Sequence, residues 1–341
     1  MAEALANKYR PHEFNEVCSQ KSIVQILQRQ LELKDIKNCY LFCGPSGTGK
    51  TTLARIFANK VNNNQGEPIE IDGASNNGVD NVKAIIQSAK ERSVDSEYKT
   101  FIIDECHMIT TQGWNAFLKC VEEPPKYTIF IFCTTDPQKI PSTILNRVMR
   151  FNLTKVKSEE IRYRLGYICE NENCTNFDEA IGYISKICNG GVRDAIAMLD
   201  KCISYSNDLS IDNVMTSIGN FSYKEMLSLT NNIVDGEESK VISTIDSLYD
   251  NGNDMKLFIE QYLDFVLDLV KYCIFKEMSP LKVPSSLEED IKYTTGIENN
   301  KNYFNAMVDI LLHLKNEIRY DSNIKNTILV YFINMCRGIK C

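Results

Sequence analysis

Cys39-Tyr40-Leu41-Phe42-Cys43-Gly44-Pro45-Ser46-Gly47-Thr48-Gly49-Lys50-Thr51-Thr52 is the stretch that decides the fold. Its first five residues form a short apolar run, as expected of a strand buried on both faces. The eight from Gly44 to Thr51 match G-x-x-x-x-G-K-S/T, and a helical pattern runs on from Lys50 to Lys60. Each part has a physical task. Glycines let backbone N–H groups curl around phosphate oxygens, and the helix that follows aims its positive end at the same anion. Lys50 is placed to reach the β- and γ-phosphates of a nucleotide, and the Thr51 hydroxyl to ligate Mg²⁺. A coincidental turn would need neither the strand before it nor the helix after it.

Working outward, Ile69–Ile71, Phe101–Ile103, Ile129–Cys133 and Met149–Leu153 read as four further strands. Helical patterns lie near Ser22–Leu33, Lys50–Lys60, Asn81–Arg92 and Trp114–Glu122, the last stopped by Pro124-Pro125. Strands alternating with helices predict an α/β domain with a five-stranded parallel sheet. Asp104-Glu105 follows the strand Phe101–Ile103, where carboxylates reach the carboxyl edge of the sheet beside the phosphate loop. There Asp104 can hold Mg²⁺, and Glu105 can orient or deprotonate an attacking water. Thr134-Thr135-Asp136 ends the next strand, so its hydroxyls reach the same edge. Arg147 and Arg193, taken singly, are ordinary surface arginines.

Beyond Thr154 the strands stop. Residues 158–218 read as a small helical bundle punctuated by Asn189-Gly190-Gly191, and an all-helical region follows from about Asn220. Its longest apolar-periodic stretch is Asp254–Met278. The expected domains are therefore 1–154, 155–218 and 219–341.

Composition sets limits on function. The chain has 341 residues, 43% of them hydrophobic and 24% charged, which excludes wholesale disorder. No run of 18 apolar residues appears and the start lacks the apolar core of a signal peptide, so no membrane partner is expected. Thirteen cysteines without a CxxC pair point to free thiols in a reducing cytoplasm; Cys169 and Cys174 read as thiols rather than metal ligands. The net charge of −7 is uneven: residues 1–153 carry 18 basic and 17 acidic side chains, the remainder 20 and 28. Charge alone gives no argument for nucleic acid.

The order of these features, together with several phrases, resembles one family. Lys8-Tyr9-Arg10-Pro11, the phosphate loop, Phe101–Glu105, Thr134-Thr135, Arg147 and Gly190-Gly191-Val192-Arg193-Asp194-Ala195 stand in the sequence of AAA+ clamp-loader ATPases. The resemblance is to the gamma/tau type of bacterial DNA polymerase III. Ile71–Val79, His107-Met108, Trp114–Lys119, Glu122–Pro125 and Lys139–Pro141 look like the same family. The likeness runs from about Lys8 to Asp200 and continues weakly through Ile318-Arg319-Tyr320.

The resemblance implies ATP and Mg²⁺ as ligands. It makes Gly44, Pro45, Ser46, Gly47, Thr48, Gly49, Lys50, Thr51 and Thr52 the Walker A segment, with Asp104 and Glu105 the Walker B pair. Thr51 and Asp104 would hold the metal. Thr135 falls at sensor 1, Arg193 at sensor 2, and Arg147 at the arginine finger that acts on a neighbouring subunit's ATP. Lys8, Tyr9, Arg10 and Pro11 would line the adenine pocket. Residues 1–154 become the ATPase domain, 155–218 the lid and 219–341 an oligomerising collar. The implied partners are the other subunits of a homo- or heteropentamer, a sliding clamp and primer–template DNA, in a bacterial or phage-infected cell. The helix start around Ser75-Asn76-Asn77 is a candidate for facing the DNA chamber, with simple helix capping the alternative. Three departures stand out. The loop Val61–Pro68 is too short for the family's four-cysteine zinc module, so no zinc is expected. The finger's flanks read Asn146 and Val148. The chain ends after the collar-like region, as a short form that fits a phage-encoded or divergent clamp loader. A different AAA+ DNA motor, a branch-migration helicase subunit or helicase loader, would share Lys50 and Glu105, and an ATP-binding scaffold is the third reading.

Overall fold

The computed structural model describes residues 3–296, 300–321 and 323–338. The outer ends of the first and third expected domains, residues 1–2 and 339–341, lie outside the described residues. One parallel sheet is built from β1 (Cys39–Cys43), β2 (Ile69–Asp72), β3 (Lys99–Asp104), β4 (Thr128–Thr134) and β5 (Met149–Asn152), in the order β2-β3-β4-β1-β5. All five strands expected from the sequence are present. Their composition explains their places. β1 and β4 are buried at every position, β4 with an apolar middle between Thr128 and Thr134; β3 is buried at its four middle residues. β2 (IEID) and β5 (MRFN) alternate with charged or polar residues and take the edges.

The first helices are α1 (Leu5–Lys8), α2 (Lys21–Leu33), α3 (Lys50–Val61), α4 (Val79–Ala89), α5 (Thr111–Glu122) and α6 (Ser142–Leu145). Strand side chains alternate between faces, which gives the sheet two cores. Leu41, Phe101, Ile103, Phe130 and Phe132 pack with Val82 and Ile85 of α4 and with Trp114 and Phe117 of α5. Tyr40, Phe42, Ile102, Ile129 and Ile131 pack with Ile23 and Leu27 of α2 and with Leu53, Ile56 and Phe57 of α3. Fully burying one such side chain is worth about 1.5–3 kcal/mol, so both faces must be covered for the sheet to hold.

One boundary differs from the sequence reading. Ser75-Asn76-Asn77 does not begin a helix: the Asp72 carboxylate accepts from Ala74 N at 3.0 Å and from Ser75 Oγ at 2.6 Å, closing a turn. The helix starts at Val79, after Gly78. An aspartate that satisfies nearby backbone donors competes with helix formation.

The remaining helices are α7 (Ser158–Asn171), α8 (Phe177–Ile187), α9 (Val192–Tyr205), α10 (Ile211–Ile218), α11 (Tyr223–Val234), α12 (Glu238–Asp250), α13 (Met255–Phe275), α14 (Glu288–Thr295), α15 (Asn300–Glu317) and α16 (Ile324–Cys336). Past β5, the described residues pair in extended form at one isolated bridge, Thr175 to Asp208. The chain divides into two compact units. One takes the residues up to Ile168 together with Cys188–Asp200; the other takes Cys169–Ile187 and the residues from Lys201 onward.

The second unit's core gathers on α13, whose Phe258, Tyr262, Phe265 and Leu269 meet Phe304 of α15 and Phe332 of α16. Within it Asp268 is 1% exposed yet fully satisfied, accepting from Lys282 N at 2.6 Å and Val283 N at 3.2 Å and pairing with Lys271 at 2.7 Å. No helix among the described residues is long and apolar enough to cross a membrane.

Candidate nucleotide site

The site grows from the carboxyl edge of β1. Gly44 N donates to Thr134 O at 3.1 Å, tying the loop to the end of β4, and Thr48 Oγ1 donates to Pro45 O at 2.8 Å, closing the loop on itself. Gly47 and Gly49 take φ of +71° and +97°, a region side chains rarely adopt. The loop therefore opens into α3 with its N–H groups gathered at one concave end.

Lys50 is buried, and its Nζ donates to Gly44 O at 2.9 Å and Pro45 O at 3.0 Å. Among the described residues no carboxylate lies within ion-pair distance of it. A buried ammonium held by two neutral carbonyls is suited to an anion of opposite charge. Thr51 Oγ1 donates to Asp104 Oδ2 at 2.7 Å, so a hydroxyl and a carboxylate of the kind that hold Mg²⁺ stand side by side. These groups fit a nucleoside triphosphate with its metal.

Asp104 closes β3, and its Oδ1 accepts from Glu105 N at 2.9 Å. Glu105 has left-handed backbone angles (φ 43°, ψ 42°), strained for a residue with a side chain. That turn swings its carboxylate back along the sheet edge, where Oε2 accepts from Thr135 Oγ1 at 3.0 Å and lies 3.2 Å from His107 Nδ1. Gly73 backs the acidic pair: a Cβ there would come within 2.7 Å of Asp104 O and 2.9 Å of Glu105 O. The thiols nearby are inert, since burial pushes Cys43, Cys106 and Cys133 up from the usual thiol range.

These groups face one open cavity. Of the residues expected from the sequence, it is lined by Tyr9, Arg10, Pro11, Ser46 to Thr52, Asp104, Glu105 and Arg193. Gly44 and Pro45 act through their carbonyls on Lys50, and Thr135 through Glu105. Lys8 stands outside the lining. Arg147 does too: it pairs with Glu122 at 2.9 Å and donates to Thr143 O at 2.6 Å, on the surface.

The lining also holds residues that sequence reasoning did not single out: Ala6, Val17, Cys18, Arg164, Val192 and Ile196. Arg164, on α7, donates through Nη2 to Tyr9 O at 2.6 Å. Leu5 N donates to Asp200 Oδ2 on α9 at 3.1 Å, so α7 and α9 together pin the N-terminal segment that walls the cavity. Val192 N, opening α9, donates to Gly47 O at 2.9 Å and seats Arg193 over the phosphate loop. His107 was quoted only within a family phrase. Its spacing from Asp104, one short turn past the strand, is the signal that could have marked it.

A mononucleotide loop at the edge of a parallel sheet, an acidic pair on a neighbouring strand and a helix N-terminus laid over the loop define a P-loop protein of the AAA+ class. The comparisons agree. The Thermotoga maritima RuvB Holliday junction branch migration motor superposes with a TM-score of 0.53 and 19% identity, over 67% of this chain and 80% of that one. The family model described as "DNA polymerase III, delta subunit" matches residues 67–157. The tau subunit of DNA polymerase III from Bacillus subtilis is 36% identical over 292 residues, 79% of this chain and 52% of that protein. The gamma/tau subunit from Mycoplasma genitalium is 28% identical over 347 residues, 92% of this chain and 58% of that protein. The chain is a clamp-loader-like member of the AAA+ class, and it spans about half the length of the curated relatives it matches.

Proposed function

We propose that the chain is an ATP-dependent clamp-loader subunit that opens a sliding clamp and loads it onto primer–template DNA. The observation that carries the reading is the single cavity in which Lys50, Thr51, Asp104 and Glu105 meet Arg193 of α9, in a chain similar to gamma/tau subunits over 79% of its length.

In this reading the phosphate loop and Lys50 bind the triphosphate. Thr51 and Asp104 would hold Mg²⁺, which when bound neutralises charge developing on the phosphates. Glu105, oriented by Thr135, polarises the attacking water. Arg193 ties lid position to the phosphates. Arg147, on the surface and away from its own cavity, is available to a neighbouring subunit's nucleotide. An arginine finger contributes about 10³–10⁵ in rate, so the isolated subunit should be a poor ATPase. The three domains proposed, 1–154, 155–218 and 219–341, then serve as motor, lid and collar of a pentamer that binds DNA mostly through its phosphate backbone.

The test is steady-state ATP hydrolysis with and without primed DNA and a bacterial sliding clamp. Stimulation requiring both ligands, and abolished in Glu105→Gln and in Arg147→Ala, is the expected result. Stimulation by DNA alone, indifferent to the clamp, would indicate a branch-migration type of motor instead. Absence of hydrolysis under every condition would leave an ATP-binding scaffold.

A further inference from the structure

The Glu105 carboxylate is held by one oxygen and open at the other. Oε2 accepts from Thr135 Oγ1 at 3.0 Å and from Thr135 N at 3.4 Å, and lies 3.2 Å from His107 Nδ1. Oε1 has no partner among the described residues. The same Nδ1 lies 3.2 Å from Thr134 Oγ1, which accepts from Asp136 N at 3.0 Å. Nδ1 thus lies within reach of both oxygens, and a hydrogen on it can be offered to either, since the carboxylate only accepts.

The ring is not free to leave. His107 stands on the short 3-10 turn Cys106–Met108, its side chain 12% exposed. Met108 N donates to Glu105 O at 2.9 Å and Ile109 N to Cys106 O at 3.1 Å, while Cys106 is wholly buried in the core below. The backbone that bends Glu105 into its left-handed turn is therefore the backbone that presents the imidazole to it.

We infer that His107 is a positioning residue for Glu105. It and Thr135 fix Oε2 from two sides, the ring from the turn after β3 and the threonine from the end of β4. Only Oε1 is then left to meet a water. The inference rests on the reading of Glu105 as the group that orients the attacking water. With His107 removed, Thr135 still holds Oε2, but the carboxylate can rotate about the remaining bond and spends less time aligned. The loss belongs to the rate step and not to nucleotide binding, because His107 does not line the cavity.

The experiment uses the full chain with ATP and Mg²⁺ and measures kcat, KM and the affinity for a fluorescent ADP analogue. His107→Ala should lower kcat about tenfold with KM and ADP affinity unchanged, whereas His107→Asn, which retains a donor at the same distance from the backbone, should stay within about threefold of wild type. In a Glu105→Gln background His107→Ala should cost nothing further, as expected of a group that acts only through the carboxylate. An alanine variant with wild-type kcat overturns the inference. So does a loss that asparagine does not restore and that comes with weaker ADP binding and a lower melting temperature, since His107 would then be merely structural. If Glu105→Gln itself hydrolyses like wild type, the reading of Glu105 fails, and the inference with it.

Discussion

Gly47 carries two constraints that a side chain cannot meet together. Its φ is +71°, and a Cβ would stand 3.1 Å from Gly191 Cα and 3.4 Å from Asp194 Oδ2. Gly49 carries only one: φ is +97°, but a Cβ there would meet nothing within 4 Å. The left-handed region costs an L-residue about 1–2 kcal/mol. Gly49→Ala should therefore lower the melting temperature of the nucleotide-free chain by about 2–8 °C, the usual response to a loss of that size in a large domain. Gly47→Ala adds the push against the first turn of α9 and should cost about twice as much. Scanning calorimetry on both variants checks the order. Equal losses would mean that α9 yields freely and that the hydrogen bond from Val192 N to Gly47 O holds nothing in place.

At the scale of elements, what the sequence discloses depends on how local the cause is. β1, β3 and β4 are legible because the middle of a strand covered on both faces is an apolar run, and the start of α3 because the phosphate loop prescribes a helix. The acidic pair and Thr135 follow from the rule that polar residues at strand ends meet at the carboxyl edge. The start of α4 was missed because the Asp72 side chain, not an apolar period, decides it. Arg164 was out of reach for another reason: its partner is a backbone carbonyl 155 residues away, and nothing local marks such a pairing. That link has a measurable consequence. Tyr9 O is held by Arg164, and the Tyr9 ring meets Tyr167 edge-on at 6.2 Å, so α7 fixes one wall of the cavity. A hydrogen bond to a charged donor is worth about 1.5–3 kcal/mol when intact, and partial exposure of Arg164 argues for the lower end. Arg164→Ala should weaken ATP binding about tenfold, while kcat at saturating ATP stays within about twofold. Equilibrium titration of a fluorescent ATP analogue, set beside the saturated rate, separates the two. A fall in kcat without a change in affinity would place Arg164 in the chemistry and not in the wall.

At the scale of the whole molecule, the proposed loader divides one active site between two chains. Glu105 faces the chain's own cavity, whereas Arg147 is engaged with Glu122 on the surface and away from it. The Glu122 pair is about half-exposed, so it is weak and can be exchanged for a stronger anion. If Arg147 serves the neighbour's nucleotide, the two defects complement each other. A Glu105→Gln chain keeps its finger and an Arg147→Ala chain keeps its carboxylate. In a mixed assembly, an interface works when the Arg147→Ala chain holds the nucleotide and the Glu105→Gln chain supplies the arginine. For random mixing in equal amounts this occurs at about a quarter of head-to-tail interfaces. Each variant alone should be nearly inactive, and the mixture should recover roughly a quarter of the wild-type rate, somewhat less if neighbouring sites must fire together. Recovery should rise and fall with subunit ratio, with its maximum at equal amounts, because the product of the two fractions peaks there. A mixture no more active than its components would confine Arg147 to its pairing with Glu122. The assembly would then need a different source for the cation that the phosphates require.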